Sequence, residues 1–216
     1  MKSWYEVYLD EIKQKKDAKN YINDKIKHKK VFIKMIEKYS KKSGKKILEA
    51  GCGTGIISSY MAAKGYNVVG IDVDNDILNL AKKLSKEYFK DQSKIEFINK
   101  DIFKLDYPSN NFDVCFSNGV LEHFSDKEIV ETITQQLRIS NIVVIGIPTQ
   151  FFDKSEALYG NERFLPIDYW RYLITLSGGR ILEEHSFHYM TILEKIMAFK
   201  KIGRPRPFRL FVIEKL

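Results

Sequence analysis

The sequence predicts an α/β fold in which helices cover both faces of a doubly wound, mostly parallel sheet. Five short apolar runs between residues 46 and 147 have the length of strands, and stretches with helical spacing of apolar side chains separate them. The first run turns directly into a helix through closely spaced glycines. Parallel strands need crossovers of about a dozen residues or more, and the helical stretches supply them.

Residues 4–40 precede the first strand and carry apolar side chains at helical spacing. We expect two helices here, with no glycine or proline between them. The core elements then follow in order: a strand over 46–50, a helix over 55–64 that stops at Gly65, a strand over 67–72, a helix over 76–90 capped by Asp74 or Asn75, and strands over 94–99, 112–117 and 142–147.

The tail departs from this alternation. A helix over 166–177 leads through Gly178 and Gly179 into a strand over 180–188, and a short basic helix over 190–201 follows. Pro205 and Pro207 then precede a last apolar strand over 208–213.

The turn after the first strand has the residue types of a nucleoside site. Glycine at Gly51, Gly53 and Gly55 lets a ligand lie against the backbone, and the next helix points unsatisfied N–H groups into the same crevice. Asp72 follows Gly51 by 21 residues at the end of the second strand, where a carboxylate can accept both hydroxyls of a ribose.

The spacing of the glycines argues against a dinucleotide. A dinucleotide fingerprint is Gly-x-Gly-x-x-Gly, whereas these glycines alternate and Ile56 takes the place of the last one. Glu49 precedes the turn, where it would repel a pyrophosphate but suits an aminoacyl ammonium group. With Asp72 and the later Asp101, the pattern resembles the class I S-adenosylmethionine-dependent methyltransferase family over roughly residues 45–148.

The resemblance implies a seven-stranded sheet whose last strand is antiparallel. It also implies one domain over residues 1–216: an N-terminal helical lid over 1–44, a cofactor-binding core over 45–148, and a substrate-side cap with the C-terminal strands over 149–216. We expect residues 1–25 and 149–165 to be the least ordered parts of the unliganded protein and to become protected when ligands bind.

The same resemblance assigns a role to each candidate cofactor residue. The methionine moiety of S-adenosyl-L-methionine would contact Glu49, Gly51, Cys52, Gly53 and Gly55, and its aminoacyl end would contact the backbone near Asn118. Its ribose would bind Asp72. The adenine amino group would bind Asp101, and the adenine faces would pack against Val73 and Ile102. Two alternatives stay open: Asp101 could cap the following turn, and Asn118 could form an Asx turn.

Candidates on the acceptor side come from three segments. His123, after the fourth strand, is either a general base or a packed, hydrogen-bonded histidine. The remaining candidates are Trp4, Tyr5, Tyr8 and Tyr21 in the N-terminal segment, and Phe151, Phe152 and Arg163 in the aromatic-rich stretch after residue 148. Each aromatic could instead be structural cover, packed on the sheet.

Composition narrows the class of protein. The 216 residues contain no apolar run near the ~20 residues of a membrane span, and the first residues do not begin a secretory signal, so we expect a cytoplasmic protein. Cys52 and Cys115 lie too far apart for a Cys-x-x-Cys metal site and are expected as small packing residues. We expect no metal.

The charge of +8 lies at the two ends of the chain. Residues 1–46 carry 15 lysines and 6 acidic residues, residues 194–216 carry 7 basic and 2 acidic residues, and acidic residues dominate between them. The basic ends are either solvated lysine faces or a footprint for nucleic acid.

These observations favour transfer of a methyl group from S-adenosylmethionine to O, N or C of a small-molecule acceptor, with S-adenosyl-L-homocysteine as the product. An Asp/Asn-Pro-Pro-aromatic motif, typical of nucleobase or amide N-methylation, does not follow the fourth strand. The alternatives are an RNA or protein methyltransferase that uses the basic ends, and a non-catalytic S-adenosylmethionine-binding partner subunit. The acceptor and the oligomeric state are not specified by the sequence.

Overall fold

A computed structural model of the chain describes residues 2–40, 46–89, 92–152, 154–157, 159–187 and 207–216. Its strands are β1 (Lys46–Ala50), β2 (Asn67–Asp72), β3 (Ile95–Asn99), β4 (Phe112–Asn118), β5 (Ser140–Pro148), β6 (Gly179–Phe187) and β7 (Phe208–Lys215). Its α-helices are α1 (Trp4–Gln14), α2 (Ala18–His28), α3 (Lys30–Tyr39), α4 (Ile56–Ala63), α5 (Asn75–Tyr88), α6 (Asp126–Ile139) and α7 (Ile167–Leu176).

The strands form one seven-stranded sheet in the order β3-β2-β1-β4-β5-β7-β6. β1 pairs in parallel with both β2 and β4, so the chain reverses its winding direction beside β1. β7 lies between β5 and β6 and is antiparallel to both. The predicted fold class is therefore confirmed, including the antiparallel last strand. Ligands of such sheets bind at the carboxyl ends of the strands near this reversal.

Alternating side chains of the strands build a core on each face. In β1, Leu48 and Ala50 pack in the cluster that includes α6 and α7, whereas Ile47 packs in the cluster that includes α3 and α4. The pattern places Glu49 on the α4 side of the sheet, next to the helix that follows the glycine turn. The predicted apolar face of α5 is buried, with Leu80 and Leu84 packed near α2.

The N-terminal segment differs from the prediction, because it forms three helices where two were expected. The first break lies at Lys16, whose φ of +73° no helix can continue, and the Asp17 side chain caps α2 by accepting the Asn20 N–H at 2.7 Å. The second break lies at Lys29, which ends α2 and precedes α3 without a side-chain cap. Hydrophobic periodicity continues through both breaks and therefore does not reveal them.

Two further observations concern the ends of the fold. The basic helix expected over 190–201 lies outside the described residues. Within the described ranges, no helix combines the length and the apolar character that crossing a membrane requires.

Candidate functional site

The glycine turn after β1 has the backbone that its sequence predicts. Gly51 and Gly53 have φ angles of +72° and +51°, in the left-handed region that side chains with a Cβ rarely adopt. The N–H groups of Gly51 and Cys52 donate to the Ile71 carbonyl at 2.9 and 2.8 Å, which fixes the turn against β2. A Cβ on Gly53 would lie 2.6 Å from the Tyr8 hydroxyl, so Tyr8 of α1 rests directly on the turn.

Asp72 ends β2 and is held by the backbone on both carboxylate oxygens. Oδ2 accepts the Gly53 N–H at 3.0 Å and Oδ1 accepts the Asp74 N–H at 3.2 Å. Burial raises the pKa of Asp72, and the backbone N–H groups oppose this shift. Because a carboxylate has about four lone-pair sites, these backbone bonds leave acceptor capacity for a ribose hydroxyl.

Glu49 lies at the end of β1 and is buried against the start of α4. The Ser58 backbone N–H donates to Glu49 Oε2 at 3.0 Å, and the Ser58 hydroxyl donates to the same oxygen. Burial raises the pKa of Glu49 to about 8, although both Ser58 bonds lower it. The other carboxylate oxygen is the one left to meet a positively charged ligand group.

The ends of β2 and β3 carry the predicted adenine residues. Val73 is 63% exposed at the end of β2, whereas Ile102 is buried. Asp101 Oδ1 accepts the Phe103 N–H at 2.9 Å, so Asp101 caps the turn after β3. That bond uses one lone pair of the carboxylate and leaves others for a donor from a ligand.

A cavity of about 320 Å³ opens at the carboxyl ends of β1, β4 and β5. It lies within the size range of small-ligand sites. Of the sequence-predicted site residues, those that line it are Trp4, Tyr8, Tyr21, Glu49, Gly51, Cys52, Asn118, His123 and Phe152. Those that do not line it are Tyr5, Gly53, Gly55, Asp72, Val73, Asp101, Ile102, Phe151 and Arg163. The predicted residues thus divide between the cavity and the neighbouring ends of β2 and β3, and their roles stay predictions.

Lys29, which the sequence analysis did not single out, extends from the α2–α3 junction into this cavity. Its Nζ donates to Asn118 Oδ1 at 2.9 Å and lies 5.5 Å from the centre of the Phe208 ring. Burial lowers the pKa of Lys29 to about 7, with nearby Lys25 adding to the shift and Glu122 opposing it. A lysine that changes its charge near neutral pH therefore faces the end of β4.

Glu122 is a second site residue that the sequence analysis missed. It lies in the short 3₁₀ turn Leu121–His123 after β4, lines the cavity and is only 4% exposed. Burial raises the pKa of Glu122 to about 8, although Lys29 lowers it. Its Oε2 has no hydrogen-bond partner among the described residues.

His123 lies at the mouth of the cavity, among side chains from two segments. Its Nδ1 is 2.6 Å from Asn161 Oδ1, and because an amide oxygen only accepts, the neutral ring carries its proton on Nδ1. The Trp4 ring meets His123 edge-on with centroids 5.2 Å apart and stacks on Tyr159 at 4.5 Å. The N-terminal helix and the segment after β5 therefore touch each other over the mouth.

The candidates after β5 fall into three environments. Phe152 stacks on Phe164, with centroids 5.0 Å apart, and forms part of the cavity wall. Phe151 is 42% exposed. The Arg163 guanidinium pairs with Asp126 at 2.6 Å and donates to the Phe124 carbonyl, which fastens this segment to the start of α6.

Tyr5, the remaining N-terminal candidate, packs against the cluster of α2 and α5 side chains.

The sequence offered only weak signals for Lys29 and Glu122. Lys29 stands in a stretch with 15 lysines, where a solvated side chain is the ordinary expectation. Glu122 directly precedes His123, the residue considered as a general base. Because a charged residue is rarely buried without a partner, an exposed side chain was the ordinary expectation for Glu122. Only the tertiary structure shows that both side chains enter one cavity.

Comparison with known proteins agrees with this geometry. Residues 47–141 match the family model described as a methyltransferase domain. Phosphoethanolamine N-methyltransferase 1 of Arabidopsis thaliana is 36% identical over 93 residues, which are 43% of this chain and 18% of the relative. The ubiquinone biosynthesis O-methyltransferase of Coxiella burnetii is 31% identical over 98 residues, which are 45% of this chain and 41% of the relative. The match thus spans less than half the length of either relative.

The fold extends the likeness beyond the matched segment. Magnesium protoporphyrin IX methyltransferase from Synechocystis PCC 6803, solved with bound S-adenosylmethionine, has a TM-score of 0.66 against this chain. The superposition covers 87% of this chain and 77% of that one at 14% identity, so it shows a shared fold. The family model and the shared fold agree over the same segment, so residues 47–141 are similar to the methyltransferase domain family and the chain has the Rossmann-like fold of S-adenosylmethionine-dependent methyltransferases.

Proposed function

We propose that this protein transfers the methyl group of S-adenosyl-L-methionine to O, N or C of a small-molecule acceptor and releases S-adenosyl-L-homocysteine. The observation that carries the proposal is the cavity of about 320 Å³ between the glycine turn and Asn118. It lies under side chains of the N-terminal helices and of the segment after β5. A concave space of this size suits a small organic acceptor better than a polymer.

The described residues fit the proposed cofactor. An exposed Val73 beside a buried Ile102 offers an apolar edge for a purine, and Asp72 keeps acceptor capacity for a ribose hydroxyl. Glu49, buried behind the glycine turn, can pair with an ammonium group. When bound, the cofactor supplies an activated methyl group on a positively charged sulfur. The chain's own contribution is to align the acceptor with that methyl and to exclude water.

The names of the two curated relatives include an N-methyltransferase and an O-methyltransferase. They therefore leave the acceptor atom open, and we propose only the small-molecule class. An RNA or protein acceptor is a second candidate, favoured by the basic ends of the chain. We propose that the protein is itself catalytic and is not a non-catalytic cofactor-binding subunit. Its cytoplasmic location stays a prediction.

Two measurements test the proposal. Calorimetric titration with S-adenosylhomocysteine should give saturable binding, and wild-type protein should bind it more tightly than NAD. A screen for S-adenosylhomocysteine release should then find turnover with metabolites carrying O, N or C nucleophiles, and none with RNA or peptides. Tighter binding of NAD would overturn the cofactor, whereas release with RNA or peptides alone would overturn the acceptor class.

A further inference from the structure

The Glu122 carboxylate is a buried polar group that faces the cavity with one oxygen unpaired. The side chain is 4% exposed, and Oε2 has no hydrogen-bond partner among the described residues. Leaving a buried carboxylate oxygen without a donor costs free energy, and native structures rarely do so away from functional sites. The cavity beside it is where a donor from a ligand can enter.

The groups around Glu122 set its charge. Lys29 approaches from the α2–α3 junction and favours the ionised carboxylate, whereas Glu162, from the segment after β5, disfavours it. Glu49 at the end of β1, Lys25 on α2 and His123 in the same turn also line the cavity. Burial raises the pKa of Glu122 to about 8, close to the range in which a general base works efficiently.

We propose that Glu122 is the catalytic residue that accepts a hydrogen bond, and then the proton, from the nucleophile of the acceptor. The inference rests on the proposed methyl transfer and narrows its acceptor to an oxygen or nitrogen nucleophile that carries a proton. As the nucleophile bonds to the methyl carbon, the carbon–sulfur bond breaks and its electron pair stays on sulfur. The proton of the nucleophile passes to Glu122, which returns it to solvent after the product leaves.

The geometry favours Glu122 over His123 for this role. The His123 ring is only partly buried and packs edge-on against Trp4, and its Nδ1 bond to Asn161 leaves Nε2 as the remaining acceptor of the ring. Glu122 has the unpaired oxygen and lies close to the end of β4, where Lys29 binds Asn118 at 2.9 Å.

Sinefungin provides a test that needs no knowledge of the acceptor. In this analogue a carbon bearing an ammonium group replaces the methylated sulfur, so a donor with positive charge stands at the site of transfer. Affinities for sinefungin and for S-adenosylhomocysteine should be measured by calorimetry at a pH above 8, because burial raises the pKa of Glu122 to about 8 and the carboxylate is ionised above it. We expect wild-type protein to prefer sinefungin, and Glu122→Gln to lower that preference at least about tenfold, as expected for loss of a charge-assisted hydrogen bond.

The controls separate this inference from the proposed function. Glu131→Gln alters an exposed glutamate of α6 and should leave both affinities unchanged. Unchanged S-adenosylhomocysteine binding by Glu122→Gln shows that the variant is folded with its cofactor site intact. An unaltered preference for sinefungin in that variant, or a parallel loss of both ligands, overturns the role of Glu122. Wild-type protein that binds neither ligand overturns the proposed function itself.

An acceptor found in the release screen allows a second test. Glu122→Gln should lower kcat about 100-fold or more, the ordinary size of a general-base contribution, and remove the acidic limb of the pH–rate profile. His123→Gln should retain that limb. The reverse result, with the limb lost only in His123→Gln, overturns the proposal.

Discussion

At the scale of single residues, Asp72 carries the sharpest prediction about the cofactor. Asp72→Ala removes the acceptor proposed for two ribose hydroxyls, and hydrogen bonds to a charged group are worth about 1.5–3 kcal/mol each. We therefore expect affinity for S-adenosylhomocysteine to fall at least about tenfold in calorimetric titration.

The matched control for this prediction is Asp76→Ala, which removes an exposed carboxylate in the first turn of α5, four residues further along the chain. It should bind S-adenosylhomocysteine like wild type. Cooperative unfolding of Asp72→Ala would confirm that its fold survives. Equal affinity of Asp72→Ala and wild type would contradict the ribose role.

Glu122 also makes the stability of the protein depend on pH. Its pKa is raised to about 8 in the folded state, from an ordinary value of about 4.3 in the unfolded chain. The folded protein binds more protons between these values, so Glu122 costs stability as pH rises through that window. Lys29, whose pKa is lowered to about 7, is largely neutral at the alkaline end and gives no compensation there.

We therefore expect Glu122→Gln to stabilise the protein in alkaline solution. Near pH 5 both side chains are mostly neutral in the folded state, and urea unfolding should give similar free energies for variant and wild type. Above about pH 8, the variant should be more stable by at least about 1 kcal/mol, since one unit of pKa corresponds to about 1.4 kcal/mol. A difference that does not change with pH would mean that Glu122 titrates normally in the folded protein.

Residue types were predictable where the backbone demands them, whereas the roles of these residues toward a cofactor stay predictions. The left-handed turn at Gly51 and Gly53 and the carboxylate after β2 follow from spacing alone. Lys29 and Glu122 were missed because burial of a charged side chain depends on what the distant elements place beside it. Lys29 at the α2–α3 junction and Asn118 at the end of β4 are hydrogen-bonded but 89 residues apart in sequence, and no local pattern encodes that contact.

At the scale of elements, the five core strands were predictable to within about two residues, because apolar runs bounded by glycine and polar residues leave little choice. The division of the N-terminal segment was not. The break between α1 and α2 depends on the left-handed backbone conformation of Lys16 and on the helix cap by Asp17. Neither feature is recognisable in a lysine-rich sequence. Pattern reasoning detects a helix face more readily than a helix end.

Side chains of α1 and of the segment after β5 lie over the cavity. Tyr8 of α1 rests on Gly53, where the cofactor backbone contact is predicted, and α1 has no fully buried residue. Trp4 stacks on Tyr159, so the covering segments from both ends of the chain meet. Few buried contacts are the physical basis of a low opening free energy.

We therefore expect residues 1–25 and 149–165 to exchange amide hydrogens fastest in the unliganded protein. Cofactor and acceptor should slow exchange in both segments, since closure excludes water from the site. The core strands β1 and β4 serve as the internal control, with strong protection in both states. Full protection of both segments without ligand would mean that they are fixed structural cover and that the acceptor enters elsewhere.

At the scale of the whole molecule, the uneven charge is partly neutralised by the fold. Within the described N-terminal helices, Lys2 pairs with Asp10 at 2.6 Å, Lys15 with Asp24 at 2.9 Å and Lys25 with Glu11 at 3.1 Å. Lys38 reaches across to Glu183 on β6. Lysines engaged in this way contribute less to a continuous positive surface than their number suggests.

The last prediction follows for nucleic acid. Any binding of transfer RNA should be weak and electrostatic, because phosphate contacts release counterions and affinity then falls steeply with salt. If fluorescence titration detects RNA binding at about 50 mM salt, we expect that binding to be lost at about 200 mM. For six to ten phosphate contacts, this rise in salt lowers the affinity for nucleic acid roughly 10³–10⁵-fold. S-adenosylhomocysteine, with no net charge, should bind with nearly the same affinity at both concentrations. RNA that stays bound and is methylated at the higher salt would instead indicate that the basic ends are a docking surface for RNA. It would contradict the proposal of a small-molecule acceptor.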